Sequence, residues 1–302
     1  MAVIAVFNQK GGVGKTTTCL NLTAALARAQ RHPIALDMDP QGHLSLACGL
    51  KKATEPDAGM LAFFKHKTPL TRLLRDTPAG WQIISSSLGL SKIDALYGSD
   101  PKVATLLKQE LSLDLALTGA PIMIDCCPML GVLTLNALLA ADRVLIPVSA
   151  DFLSMQGVYR LDAALNVLEE KLQRTFERRI VVTRYDPRRK LANEIYDQLK
   201  EKYGTSVCNT RIGENVALAT SPMHGQDIFT FAPHSPGAAD YRALTIELGN
   251  SGFFEAGKMK DKLPPAPAKA SNTELASNPS PLRRRSTDTG MNNFNNISHL
   301  KH

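Results

Sequence analysis

Residues 2–18, AVIAVFNQKGGVGKTTT, constrain the fold more than any other part of this chain. An apolar run at residues 2–7 predicts a buried strand, and residues 9–14 form a glycine-rich turn. From Thr16 onward apolar residues recur at helical spacing, which predicts a helix. Because loop amides and a helix N-terminus converge after such a strand, the segment predicts a binding site for phosphate groups.

The side chains of this loop indicate which ligands it binds. Lys15 can reach β- and γ-phosphates, and the hydroxyl of Thr16 suits Mg²⁺. The usual phosphate-loop pattern, G-x-x-x-x-G-K-[ST], requires glycine at position 9, where this chain has Gln9. A chance glycine-rich turn is the alternative, which the strand before the loop and the helix after it disfavour. The predicted nucleotide contacts in the loop are Lys10, Gly11, Gly12, Val13, Gly14, Lys15, Thr16 and Thr17.

The run from Lys10 to Thr16, KGGVGKT, resembles the deviant Walker A motif of the ParA/MinD family of P-loop ATPases. The resemblance covers roughly residues 1–250 and implies an α/β fold with a doubly wound, mostly parallel sheet. It also implies an ATPase that uses ATP and Mg²⁺ and forms a homodimer in the ATP state. In that family the extra lysine crosses the dimer to the partner's phosphates, so Lys10 is expected to act in catalysis together with Lys15.

Three carboxylates follow predicted strands. Residues 33–37 and 121–125 are apolar runs that end in Asp37 and Asp125, and Asp39 follows closely after the first. Acids at strand ends of an open α/β sheet lie over the ligand crevice. Asp125 has a Walker B layout, which delivers one carboxylate toward Mg²⁺. By resemblance to the ParA sequence D-x-D-P-Q-G, Asp39 would activate the attacking water and Asp37 would support the metal shell; an ordinary strand-end turn is the alternative.

The cysteines do not support a zinc site or a disulfide framework. The chain has five, scattered and without a C-x-x-C pair, which also argues against an iron–sulfur carrier. The neighbours Cys126 and Cys127 invite a redox or metal interpretation, but small buried residues are the favoured one. There is no apolar run of about 18 residues and no signal-peptide layout, so we expect a cytoplasmic protein.

Positive charge is concentrated in two places. The formal net charge is +7, and residues 258–302 carry eight basic and three acidic residues of this total. That Pro-, Ser- and Asn-rich stretch predicts a disordered tail after an ATPase domain at residues 1–257. The second place is a basic turn composed of Arg184, Arg188, Arg189 and Lys190. By the family resemblance Arg188 would bind DNA nonspecifically; a solvated charged turn is the alternative.

Two further segments bear on the resemblance. Glu214 and Ala217 stand where the family segment R-N-V-R-L-A has arginines, which removes a usual DNA contact. The run Ser221-Pro222-Met223 fits the family's loop near the adenine, so Pro222 and Met223 are expected to contact the nucleotide.

The resemblance therefore predicts a switch of the ParA type, associated with the nucleoid, whose slow hydrolysis is stimulated by a cognate adaptor protein. Its cargo would be a plasmid, a chromosome or a protein assembly. A MinD-like ATPase that cycles on a membrane is the alternative, and it requires a C-terminal amphipathic helix. Pro264 and Pro265 break such a helix, so we expect no membrane partner. A nucleotide-binding scaffold without enzymatic activity is a further alternative.

Overall fold

The structure is a computed structural model that describes residues 2–50, 58–98, 101–115 and 119–256. Its strands are β1 Val3–Val6, β2 Ile34–Asp37, β3 Arg75–Asp76, β4 Gln82–Ile84, β5 Ile122–Asp125, β6 Arg143–Ser149 and β7 Glu177–Thr183. They form one sheet in the order β3-β4-β2-β5-β1-β6-β7. All neighbouring strands are parallel except β3 and β4, which pair antiparallel. The predicted α/β fold with a mostly parallel sheet is confirmed.

Helices connect the strands. The longer ones are α1 Lys15–Arg28, α8 Val132–Ala140, α9 Phe152–Leu172, α10 Lys190–Tyr203 and α13 Pro236–Asn250. The shorter ones are α2 His43–Ala47, α3 Met60–His66, α4 Leu70–Leu73, α5 Ser91–Tyr97, α6 Pro101–Ala104, α7 Leu106–Glu110, α11 Val216–Thr220 and α12 Ile228–Phe231. None of the helices in the described ranges combines the length and apolarity needed to cross a bilayer.

Both faces of the sheet are buried, and β1 shows why. Ile4 and Val6 pack in a cluster with residues of α1 and α13, whereas Ala5 packs in a second cluster with residues of α8 and α9. Side chains alternate between the faces of a strand, so a strand buried on both faces is a continuous apolar run. The run at residues 2–7 therefore predicted its strand correctly, and the doubly wound arrangement follows from it.

The strand order brings the candidate site residues to one edge of the sheet. β5 lies between β1 and β2, and the register places Asp125 beside both Val6 and Asp37. The amide of Met38 donates to the carbonyl of Asp125 at 2.9 Å, which keeps the two strand ends level. The loop that follows β1 and the acids that end β2 and β5 therefore meet at the carboxyl ends of parallel strands, where such sheets bind ligands.

Two parts of the fold differ from the sequence prediction. β3 is a short, exposed edge strand with no apolar pattern, formed because the Thr77 amide donates to the Trp81 carbonyl at 2.9 Å across a tight turn. Apolar residues recur at helical spacing over residues 100–117, which predicts one helix, but the structure divides the described part of this stretch into α6, α7 and a π-helical turn at Leu111–Leu115. The break precedes Leu107, whose amide donates to the Asn136 side chain of α8 at 3.1 Å. The predicted tail, residues 258–302, lies outside the described residues.

Candidate active site

Glycines shape the loop between β1 and α1. Gly12 and Gly14 have φ angles of 75° and 86°, in the left-handed region that a Cβ atom disfavours. The hydroxyl of Thr183, at the end of β7, donates to the carbonyl of Val13 at 2.9 Å. The loop is thereby held against the sheet with the N-terminus of α1 directly behind it, and the free amides of that terminus favour anions. This geometry fits the phosphate cradle predicted from the sequence.

Lys15 is the first residue of α1 and is buried. Its ammonium donates to the carbonyl of Lys10 at 3.0 Å, which closes the loop on itself. Burial lowers the pKa of Lys15, and the nearby carboxylate of Asp125 opposes that shift. A buried cation with a single backbone partner is poised to bind a phosphate oxygen, because an anion would offset its desolvation.

Asp37 and Asp125 form a buried acid pair beneath the loop. Burial raises the pKa of Asp37 to about 7, against hydrogen bonds from Ser45 and Asp39 that lower it. The pKa of Asp125 is raised well above its usual range by burial and by the charge of Asp37. The Ser45 amide and hydroxyl donate to Asp37 at 2.8 and 2.7 Å, so this carboxylate anchors the start of α2.

Asp125 differs from Asp37 in having no such anchor. Both of its carboxylate oxygens are buried and lack a hydrogen bond of normal geometry within the described residues. Unpaired buried carboxylates are costly, so this group calls for a cation. The Thr16 hydroxyl is close enough to lower the pKa of Asp125, and a hydroxyl and a carboxylate are oxygen ligands of the kind Mg²⁺ uses. Thr16 and Asp125 therefore fit the expected Mg²⁺, whereas Asp37 lies beside them as an anchoring residue.

A cavity of about 780 Å³ opens above these residues. Asp39 lies on its wall, fixed by the Gln41 amide, which donates to Asp39 Oδ1 at 2.9 Å. The walls are formed by Gly11, Gly12, Gly14, Lys15, Thr16, Thr17, Asp39, Pro40, Gln41, His43, Ser91, Asp94, Ala95, Cys127, Pro128 and Met129. The cavity thus brings together the loop lysine and the acid that the sequence assigned to the attacking water.

Lys10 is not among the residues that line this cavity. Its ammonium donates to Asp151 Oδ1 and to Ser154 Oγ, both at 2.8 Å. Asp151 is the N-cap of α9 and also accepts from the Ser154 amide at 2.9 Å. Sequence analysis did not identify Asp151 or Ser154 as partners of Lys10. An acid preceding a helix signals a cap, but nothing local indicates that the cap would also bind a lysine 141 residues away.

A second cavity of about 290 Å³ also borders the phosphate loop. It is lined by Gly12, Gly14, Thr17, Thr183, Arg184, Ile212, Gly213, Glu214, Asn215, Leu218, Ala219 and Tyr241. Its size is near the lower end of small-molecule sites, and its mixture of apolar walls and a few polar groups suits a nucleoside. Pro222 and Met223, expected near the adenine, are not among these lining residues, and Met223 is 83% exposed.

The predicted basic turn is formed, and its cations are paired. Asp186 accepts from Arg188 at 2.9 Å and lies 3.5 Å from Arg189. Lys190 lies 3.5 Å from Glu194. Arg188 and Lys190 are 88% and 91% exposed along their side chains, so these ion pairs are weak and open to competition by phosphate groups.

Cys126 and Cys127 are buried thiols. Burial raises the pKa of both, which leaves them protonated and poorly nucleophilic. The Cys127 sulfur lies 3.3 Å from the Thr134 hydroxyl. Their interpretation as small buried residues is confirmed.

Comparison with known proteins fixes the family. A family model described as an AAA domain matches residues 1–178. The chromosome-partitioning ATPase Soj of Thermus thermophilus is 37% identical over 254 residues, which cover 81% of this chain and 94% of that protein. The chromosome partitioning protein ParA of Myxococcus xanthus is 32% identical over 248 residues, 82% of this chain and 87% of that protein. This chain belongs to the ParA/Soj family of ATPases.

The ParA/Soj assignment agrees with the solved structures that are similar to this chain. Cobyrinic acid a,c-diamide synthase from Mycobacterium smegmatis, with bound ADP and magnesium, superposes with a TM-score of 0.70 at 26% identity. The match covers 87% of this chain and 100% of the synthase. The pairing of an adenine nucleotide with magnesium, expected from the loop and the acids, is confirmed for this type of fold. The ParA/MinD-type resemblance of the KGGVGKT loop is likewise confirmed.

Proposed function

We propose that this ParA-type ATPase is an ATP-driven dimerisation switch that binds DNA nonspecifically in its ATP state and positions a cargo. The observation that carries the proposal is the large cavity, which is lined by the glycine loop, Lys15 and Asp39. Those groups meet the needs of phosphoryl transfer to water, which are positioning of the phosphates and the nucleophile and stabilisation of charge.

In the proposed mechanism the loop amides and Lys15 bind the β- and γ-phosphates. Mg²⁺, held by Thr16 and Asp125, would neutralise phosphate charge when bound. Asp39, fixed by the Gln41 amide, orients the attacking water beside the γ-phosphate. The nucleoside enters the smaller cavity, which shares Gly12, Gly14 and Thr17 with the larger one.

Dimerisation would use the rim of the cavity. Met129, Phe152 and Leu153 are 70%, 55% and 70% exposed, and exposed apolar side chains of this size mark association surfaces. Lys10 lies next to α9 at this rim, and a second subunit's nucleotide would draw it away from Asp151. The homodimer would thus exchange an ion pair within one chain for contacts with the phosphates of the other subunit.

The DNA-binding part of the proposal rests on the basic turn of Arg184, Arg188, Arg189 and Lys190. Two subunits would present two such turns, and residues 258–302, proposed as a disordered tail, would add Arg283, Arg284 and Arg285. Because Soj and ParA relatives are named for chromosome partitioning, we extend that role to a cargo and a cognate adaptor that stimulates slow hydrolysis. The protein would then be cytoplasmic and bound to the nucleoid.

The test is a DNA-binding titration of the whole chain with ATP, with ADP and without nucleotide, at two salt concentrations. The proposal predicts the tightest binding with ATP and a steep loss of affinity with salt, because each neutralised phosphate releases counterion. Arg188→Glu should weaken that binding, and a chain ending at Gly257 separates the turn from the tail. Equal affinity in all three nucleotide states would contradict the switch. Binding that only the truncation removes would assign DNA contact to the tail.

A further inference from the structure

Glu214 holds two cations of the basic turn. One of its carboxylate oxygens accepts from the Arg184 guanidinium at 3.2 Å, and the other lies 3.8 Å from Arg189. The turn has four cations, and each of them pairs with one of three carboxylates, Glu214, Asp186 and Glu194. The net charge of the turn with these three partners is therefore only +1. Glu214 therefore lowers the positive potential of the surface that is proposed to bind DNA.

The same residue lines the nucleoside cavity. Arg184 and Glu214 both belong to its wall, together with the adjacent Asn215. The backbone fixes this placement, because the Tyr185 amide donates to the Ile212 carbonyl at 3.0 Å and the Glu214 amide donates to the Tyr185 carbonyl at 3.2 Å. Glu214 is thus located between the cavity and the basic turn, within reach of both.

Arg184 adds a second feature at this junction. It has a φ of 51°, a left-handed conformation that side chains other than glycine rarely adopt. Such backbone conformations persist where the surroundings enforce them, and they cluster at ligand-binding and switch segments. Here the unusual residue is the one that shares its partner carboxylate with Arg189.

We propose that Glu214 is a positioning residue that exchanges between Arg189 and the ribose hydroxyls of a bound adenine nucleotide. A carboxylate can accept hydrogen bonds from ribose hydroxyls, as the acid of dinucleotide-binding α/β folds does at a different place in the sheet. When the cavity is filled, the carboxylate turns inward with Arg184, and Arg189 becomes available to a DNA phosphate. The inference rests on the proposed function and names the contact through which the nucleoside part of the ligand regulates the DNA surface.

The first experiment tests the ribose contact without DNA. Fluorescence titrations compare ADP with 2′,3′-dideoxy-ADP for the full chain, for Glu214→Gln and for Glu194→Gln. Glu194 is a matched control, because it pairs with Lys190 in the same turn but is absent from the cavity walls. The wild type and the control should bind the dideoxy nucleotide about tenfold more weakly than ADP. Glu214→Gln should lose most of this preference, because a neutral amide oxygen accepts a weaker hydrogen bond than a carboxylate. Equal affinity of the wild type for the two nucleotides would overturn the proposal.

The second experiment measures binding to a fluorescent duplex of arbitrary sequence, without nucleotide and with ADP. Glu214→Gln should bind about fivefold more tightly than the wild type when nucleotide is absent, and ADP should add nothing further. Glu194→Gln should bind the duplex more tightly by a similar factor both without nucleotide and with ADP. The effect of ADP on its DNA affinity should therefore equal that in the wild type. If ADP changed the DNA affinity of Glu214→Gln and Glu194→Gln in the same way, Glu214 would act only through its surface charge, and the proposed exchange would be refuted.

The two experiments also separate this inference from the function on which it rests. If only Glu214→Gln lost the preference for ADP over the dideoxy nucleotide, and the protein bound DNA in no nucleotide state, the results would support the ribose contact of Glu214 and reject the DNA switch. ATP-dependent DNA binding with an unchanged ribose preference in Glu214→Gln would support the switch and reject the contact.

Discussion

Replacing Asp125 by asparagine should stabilise the protein when neither nucleotide nor metal is present. Asp125 is buried, its oxygens have no hydrogen bond of normal geometry among the described residues, and Asp37 lies beside it in the register of β2 and β5. Two unit charges about 5 Å apart at an effective dielectric constant near 20 repel by ~3 kcal/mol. The variant removes that repulsion while keeping the shape of the side chain.

The raised pKa of Asp37, caused mainly by burial, shows what it costs to bury a carboxylate at this edge of the sheet. It rises from 3.8 to about 7 on folding, and at ~1.4 kcal/mol for each unit this corresponds to ~4 kcal/mol at most. The amide introduced by the substitution would be buried in place of the carboxylate without hydrogen-bond partners, which costs ~1–2 kcal/mol. We therefore expect the Asp125→Asn variant to gain ~2 kcal/mol, or ~4–8 °C in Tm for a domain of this size.

The gain should depend on pH in a defined direction. A carboxyl group whose pKa is raised in the folded state destabilises the fold above that pKa, and the penalty disappears as the pH falls to the unfolded pKa. Because burial raises the folded pKa of Asp125 well above its unfolded value of 3.8, the advantage of Asp125→Asn should be largest at pH values well above the usual range of a carboxyl group. It should shrink toward pH 4 as both acids become protonated in the wild type.

The assay is thermal unfolding in EDTA across this pH range, repeated with ATP and Mg²⁺. Mg²⁺ and ATP should stabilise the wild type more than Asp125→Asn, because Asp125 is proposed as a ligand of the metal. Asp37→Asn is the matched control. It removes the same charge, but both oxygens of Asp37 accept hydrogen bonds, from the Asp39 amide and from Ser45, and asparagine keeps only one acceptor oxygen. This variant should therefore gain less stability or lose some. An Asp125→Asn variant less stable than the wild type in EDTA above pH 7 would refute the reasoning.

Three further predictions concern the nucleotide cycle. Lys15→Ala should abolish ATP binding, since its ammonium is the buried cation of the cradle; a calorimetric titration with unchanged affinity would reject the loop assignment. Asp39→Ala should bind ATP and dimerise but hydrolyse ATP far more slowly. Lys10→Ala should bind ATP yet stay monomeric in sedimentation. An ATP-dependent dimer of Lys10→Ala would show that Lys10 does not act across the subunit interface. Asp151→Asn keeps the N-cap of α9 but removes the ion pair with Lys10, so the dissociation constant of its ATP-dependent dimer should be ~3–10-fold lower than that of the wild type. An unchanged dissociation constant would show that this ion pair does not oppose dimerisation.

The phosphate loop is the part of the site that local sequence determines. Its glycines accept left-handed backbone, and the apolar run before it and the helical pattern after it set the strand and the helix that position the amides. These are short-range constraints, so Gly12, Gly14 and Lys15 could be assigned before any contact was known. The strands ending in Asp37 and Asp125 were predicted for the same reason, because strands buried on both faces are continuous apolar runs.

The partners of the charged side chains were decided by the tertiary structure alone. The order β2-β5-β1 makes Asp37 and Asp125 neighbours and leaves Asp125 without a partner among the described residues, although the two acids are far apart in the chain. Lys10 pairs with Asp151, 141 residues away in the chain, and Glu214 lowers the net positive charge of the basic turn. Local backbone geometry makes the motif residues recognisable from the sequence. The pKa and the ion-pair partner of each charged side chain depend instead on which strand ends and loops the fold brings together.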